Sequence, residues 1–139
     1  MRNFRHILLF MLVATTLVAS AASLKKIYNA LKAGDANDLS SYFDDRILLT
    51  IKGGGFNIQN TYSKTQAKGV IKDFFEKSNP SAFDEKHRND DKEKPLYSIG
   101  YLKTKKGTYR TLIRVKGSDG NMKIQEIELS LDKSVDNDE

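Results

Sequence analysis

In the stretch "AFDEKHR", residues 82–88, alternation along an extended chain puts Phe83, Glu85 and His87 on one face. The chain has two histidines, and the other, His6, precedes an apolar N-terminal run. A neighbouring carboxylate raises an imidazole's pKa toward neutrality, the range in which one side chain can both take and give a proton. Glu85 and His87 are therefore the candidate catalytic pair for acid/base chemistry. The same residues also fit a plain strand end, with His87 turned to water beside Arg88 and Asn89 or satisfied by a backbone carbonyl.

A second set of residues suits binding. Tyr62, Tyr97, Tyr101 and Tyr109 could gather their hydroxyls where strands meet a helix, with Phe74, Phe75 and Phe83 as apolar wall. A tyrosine ring suits such a wall and its hydroxyl a wet mouth, so these seven residues are the candidate pocket. Tyrosines at the edge of a core look the same in sequence.

Other chemistries lack their residues. There is no cysteine, and a single histidine follows the N-terminal run, which excludes zinc sites of the usual Cys/His kind. "GGGFN" has no following Lys-Ser/Thr to make a phosphate cradle, and "NDDKE" lacks the spacing of a calcium loop. No Ser/His/Asp set is visible. We expect no metal and no cofactor.

The candidate residues must be positioned by a small number of elements. Leu24, Ile27, Tyr28 and Leu31 fall at i, i+3, i+4, i+7, one face of a first helix that Gly34 can end. Asp35 can cap a short second helix in which Leu39, Tyr42 and Phe43 repeat the pattern. Ile47, Leu49 and Ile51 then alternate as a strand, "GGG" at 53–55 turns the chain, and "FNIQN" returns as its hairpin partner. In "YSKTQAKGVIKDFFEKSNP" Ser63 and Gln66 form a capping box, and Ala67, Val70, Ile71, Phe74 and Phe75 line one helical face. Asn79-Pro80 ends that helix.

Everything beyond reads as strand: 81–88, 96–103, 108–116 and 122–131, with glycine-containing hairpin turns at "TKKG" and "GSDGN". Alternation groups Tyr97, Ile99 and Tyr101, and separately Tyr109, Thr111, Ile113 and Val115, and we expect the two sets to share a face. Met122 and Ile124 are out of phase with Ile127, Leu129 and Leu131, which predicts a bulge near Gln125 or Glu126. Arg110 and Arg114 should oppose Glu126 and Glu128 across the hairpin. The sum is an α+β domain, helices packed on a bent antiparallel sheet of about four strands.

Arg2 and Arg5 precede the apolar run from Ile7 to Val18, and "ASAAS" follows. That is the pattern of a secretory signal peptide, cut after Ala21 or Ala22, and the run of about a dozen residues is too short for a bilayer core of roughly 30 Å. An uncleaved anchor would carry the same residues. Residues 1–22 are thus expected to be a signal peptide, 23–131 one domain, and 132–139 an acidic, disordered tail. The mature protein should be periplasmic or extracellular, without a membrane span, and no lipoprotein, since it has no cysteine to acylate. Without Arg2 and Arg5, the 23 Lys+Arg become 21 against 18 Asp+Glu, a net of +3. That charge is scattered, and with export it makes nucleic acid an unsuitable partner.

The phrases "LKAGDANDLSSYFDDRILLTI", "YSKTQAKGVIKDFF" and "YSIGYLKTKKGTYRTLIRVK" together resemble a family of short exported bacterial proteins known as a domain of unknown function, similar to the nuclear-transport-factor-2-like, or cystatin-like, superfamily. The resemblance implies a cone of helices around a strongly curved sheet, with a cavity at the open end. It implies no activity, because that fold serves isomerases, dehydratases, adaptors and inert modules alike. Three readings stay open: a non-enzymatic envelope module that binds a small ligand or a partner protein through its cone, a small pocket enzyme with isomerase- or dehydratase-like chemistry at His87, and a domain that dimerises through the outer face of its sheet.

Overall fold

The computed structural model describes residues 19–89, 95–117 and 121–134. The apolar run of the expected signal peptide and the end of the acidic tail lie outside these residues, as do 90–94 and 118–120. In chain order the elements are α1 (Ala19–Ala33), α2 (Ala36–Ser40), β1 (Phe43–Gly53), β2 (Phe56–Ser63), α3 (Lys64–Ser78), β3 (Pro80–Arg88), β4 (Leu96–Thr104), β5 (Gly107–Lys116) and β6 (Lys123–Leu131). No helix among the described residues is long and apolar enough to cross a membrane.

The strands form one six-stranded sheet in the order β2-β1-β6-β5-β4-β3. All neighbours are antiparallel except β1 and β6, which run parallel. The sheet is therefore larger than the expected four strands, and mixed, because the first hairpin joins it. The reason lies in the side chains: Leu49 pairs with Ile127 and Ile51 with Leu129, so two fully buried rows continue across the joint. Phe43, expected on the second helix, instead opens β1. Its ring is buried and its register partner is Ile124, while the N–H of Ile124 donates to the carbonyl of Tyr42 at 2.7 Å.

The helices cover one face. α1 lies over β3 and β4, α3 over β1 and β2, and α2 packs against both helices. The capping box of α3 is present: Ser63 Oγ accepts from the N–H of Gln66, and Gln66 Oε1 accepts from the N–H of Ser63, each at 3.3 Å. Ala67, Ile71, Phe74 and Phe75 of its apolar stripe are buried and Val70 is half-buried. Asn79 then takes a left-handed conformation, φ 52°, its N–H donating to the carbonyl of Phe75, and Pro80 starts β3.

Four irregularities bend the sheet, one of them in β1, whose pairing with β6 shifts between Phe43 and Leu48. Arg114 pairs with Glu126 and Val115 with Ile124, so Gln125 is the extra residue the phase change called for. β3 carries two more, at Ser81 and Lys86. The expected sharing of a face by the two tyrosine sets does not occur. Register places Tyr109 opposite Leu102, Thr111 opposite Gly100 and Ile113 opposite Ser98, all toward the helices, while Tyr97, Ile99 and Tyr101 pair with Arg114, Leu112 and Arg110 on the other face. Alternation fixes which residues of one strand go together, and only the hairpin register says which set of the next strand joins them.

Candidate functional site

The interior of the cone is filled from three directions. Phe74 reaches down from α3 and meets Phe56 of β2 edge-on, with centroids 5.3 Å apart, and Tyr109 of β5 edge-on at 5.1 Å. Phe74 and Tyr109 are wholly buried, and the Tyr109 hydroxyl donates to the carbonyl of Gly53 at 3.1 Å. Phe75 is 4% exposed and borders a groove of about 630 Å³ between α2 and α3, beside Lys68, Lys72 and Glu76. Tyr62 sits at the rim of the same core, paired with Ile47.

Under α1 the arrangement is different. Tyr28 stacks on Phe83 with ring centroids 4.7 Å apart, and its hydroxyl is 2.6 Å from Ser98 Oγ. Arg88 clamps Glu85 through Nε at 2.8 Å and Nη2 at 3.1 Å. Gly100 makes room for this layer, since a Cβ there would lie 2.5 Å from the carbonyl oxygen of Asp84 and 2.6 Å from the ring of Phe83.

Glu85 and His87 are not brought together. Glu85 pairs with Gly100 on the helix side, the bulge at Lys86 shifts the phase, and His87 pairs with Ile99 on the open face. The expected shared face of Phe83, Glu85 and His87 is thus broken by one extra residue. His87 is exposed, its ring 6.1 Å from that of Tyr97. The four tyrosines are likewise divided, Tyr62 and Tyr109 toward the helices and Tyr97 and Tyr101 on the open face. Of the expected cross-strand ion pairs, Arg114 meets Glu126 at 3.1 Å, whereas Arg110 faces Ser130 and Glu128 faces Leu112.

On the open face, the corner shared by β3, β4 and β5 holds a hollow of about 510 Å³. Tyr101 and Ala82 give it apolar wall, Thr108 a hydroxyl, and Asp84, Lys86 and Lys103 its charges. Lys86 Nζ lies 2.7 Å from an Asp84 carboxylate oxygen, which holds the lysine's pKa above its ordinary value by hydrogen bonding and charge. Those two neutralise each other, and Lys103 remains as the uncompensated charge. Lys86, Lys103 and Thr108 were not legible as site residues, although Tyr101 and Lys103 stand two apart on one strand face, which was the available signal. Among the described residues, no group of three or more His, Cys, Asp or Glu side chains is placed to hold a metal ion.

Burial raises the pKa of the Tyr28 and Tyr109 phenols. For Tyr28 desolvation is the main cause, opposed by the bond to Ser98 and reinforced by the charge of Glu85; for Tyr109 it is desolvation. The folded state thus holds these protons more tightly than the unfolded chain. Stability from this source is complete below the ordinary tyrosine value of 10.0 and is lost as pH rises from there through the raised values. Urea unfolding followed across that alkaline window should show the midpoint falling, with a shallower fall in Tyr28→Phe. An identical slope in the variant would show that Tyr28 ionises equally in both states.

A mixed, bent sheet with its helices on one face is the α+β architecture of the nuclear-transport-factor-2-like and cystatin-like folds. Within it, the chain belongs to the family described as Domain of unknown function (DUF4783), whose sequence model matches residues 24–130. The crystal structure of a DUF4783 protein from Bacteroides ovatus is similar, with 24% identity, TM-score 0.68, and coverage of 78% of this chain and 94% of that one. A DUF4783 protein from Bacteroides uniformis gives 22% identity and TM-score 0.70, over 78% and 96% of the two chains. A domain of unknown function with a cystatin-like fold from Nostoc punctiforme gives 9% identity and TM-score 0.62, over 87% and 82%. No curated protein matches the chain.

Proposed function

We propose that this protein is an exported, non-enzymatic binding module, and that its ligand is a small molecule with an apolar body and one anionic group. The observation that carries this is the hollow beside Tyr101, about 510 Å³, a size ordinary for small-molecule sites. The cone interior offers less, because Phe56, Phe74 and Tyr109 occupy it. In the hollow a ligand body lies on Tyr101 and Ala82, its anionic end meets Lys103, and Thr108 donates or accepts a hydrogen bond. The Asp84–Lys86 pair makes one wall neutral but polar, which selects against a ligand that is apolar throughout. Separation of His87 from Glu85 by the bulge supports a binding role over acid/base chemistry. The signal-like N-terminus supports export, and recovery of a chain beginning near residue 23 from the cell envelope would test it.

Anilinonaphthalene sulfonate has the required body and charge, and its fluorescence reports entry into an apolar site. Titration of the folded protein should saturate at about one dye per chain. Tyr101→Ser should weaken binding about tenfold, equivalent to ~1.4 kcal/mol, with the melting temperature unchanged. Lys103→Glu should weaken it further at low salt than at high. Binding that never saturates, or that both variants leave intact, would remove the hollow as the site.

A further inference from the structure

The sheet has two edges, and they are unlike. β3, at one, opens with Pro80, carries Asp84, Glu85, Lys86 and Arg88, and has its pairing interrupted at Ser81 and again at Lys86. Proline, charge and bulges are the means by which sheet edges are kept from pairing with other chains. β2, at the other edge, reads "FNIQNTYS". It has no charge and no proline, and its register with β1 is unbroken from Arg46↔Ser63 to Gly53↔Phe56.

The backbone of β2 is open to water along most of its length. Asn57, Gln59, Asn60 and Thr61 are exposed, while Ile58 and Tyr62 pack on the rim of the core with their flanks uncovered. The N–H of Thr61 donates to Asn60 Oδ1 at 2.9 Å, so its partner is the neighbouring side chain rather than β1. An amide held this way is released by one side-chain rotation.

We propose that β2 pairs antiparallel with β2 of a second copy of this chain, joining two six-stranded sheets into one across a twofold axis. Three features select a second copy as the occupant. A strand without charge meets itself without the repulsion that like charges would bring. With the axis at Asn60, Ile58 of each chain lies opposite Tyr62 of the other, so both apolar flanks gain an apolar neighbour, and Gln59 lies opposite Thr61. The guarded β3 edge then stops growth at two copies, giving a closed, self-complementary pair instead of a filament. This surface is separate from the hollow beside Tyr101, and its failure would leave the ligand reading untouched.

Sedimentation velocity of the purified protein over a range of concentrations tests the pairing. A reversible dimer is expected. Thr61→Pro removes an N–H that β1 does not use, and should weaken dimerisation about a hundredfold. Asn60→Lys keeps the test decisive should the proline variant fold poorly: it sets two ammonium groups across the axis and should give a monomer at low salt that re-pairs as salt rises. Wild-type protein that remains monomeric, whether its edge is then idle or takes a foreign strand, overturns the proposal. So does a dimer that both variants leave intact, since its contact would lie elsewhere, for example on the open sheet face.

Discussion

Phe74→Ala is expected to lower the free energy of unfolding by roughly 4 kcal/mol, within the range for removing a buried phenylalanine. The ring is wholly buried and touches Phe56, Phe75 and Tyr109, so three aromatic contacts are lost together. The walls of the gap come from α3, β2 and β5, which are tied by separate hydrogen-bond ladders and cannot close on it as one body. Since a domain of this size has a total stability of about 5–15 kcal/mol, the loss is a large fraction of the whole. Urea denaturation would read it as a fall in midpoint with the slope retained. A cost below about 1 kcal/mol would mean that the layer around Phe74 collapses freely, and the cone interior would then have to be reconsidered as adaptable space. Dye binding beside Tyr101 should persist in whatever fraction of the variant is folded.

Gly100→Val is expected to cost about 3 kcal/mol or more, by overpacking instead of cavity formation. The clash is with the backbone carbonyl of Asp84 and the ring of Phe83, and a carbonyl held in the β3–β4 ladder has nowhere to go. Relief would require β3 to move away from β4, which separates Phe83 from Tyr28 and breaks the layer under α1. Gly100→Ala should show the same effect in smaller measure. The contrast is Gly69, where a Cβ meets nothing within 4 Å, so that alanine should be neutral or mildly stabilising there by helix propensity. Thermal unfolding of the three variants side by side would check the order; a tolerated valine at position 100 would show that the β3 edge is loosely held.

The elements of the fold were largely legible because each carries a local signature. The capping box at Ser63 and Gln66, the helix stop at Asn79-Pro80 and the phase change near Gln125 or Glu126 are written in consecutive residues, and the structure contains all three. What was not legible depends on pairing between distant segments. Nothing in Ile47, Leu49 and Ile51 announces a parallel neighbour at Ile127 and Leu129, so the sheet was underestimated by the hairpin it absorbs. The candidate catalytic face failed for a subtler reason. Phe83, Glu85 and His87 alternate correctly, but "DEKHR" has no glycine or apolar phase shift to mark the bulge at Lys86, unlike the stretch around Gln125 where the apolar residues themselves change phase. The hollow beside Tyr101 draws on three strands, and half of its wall comes from polar residues that read individually as ordinary surface.

The parallel joint between β1 and β6 bears on how the domain is made. Leu49 and Ile127 are neighbours in the sheet although 78 positions separate them along the chain. The hairpin of β1 and β2 is finished early in synthesis, yet one flank of β1 has no strand to pair with until β6 arrives. Contacts of such long range slow folding, because the loop must close before it is rewarded. The joint also means that a chain cut short before residue 123 would leave both β1 and β5 with bare edges, and aggregation rather than partial function is what such a fragment should show.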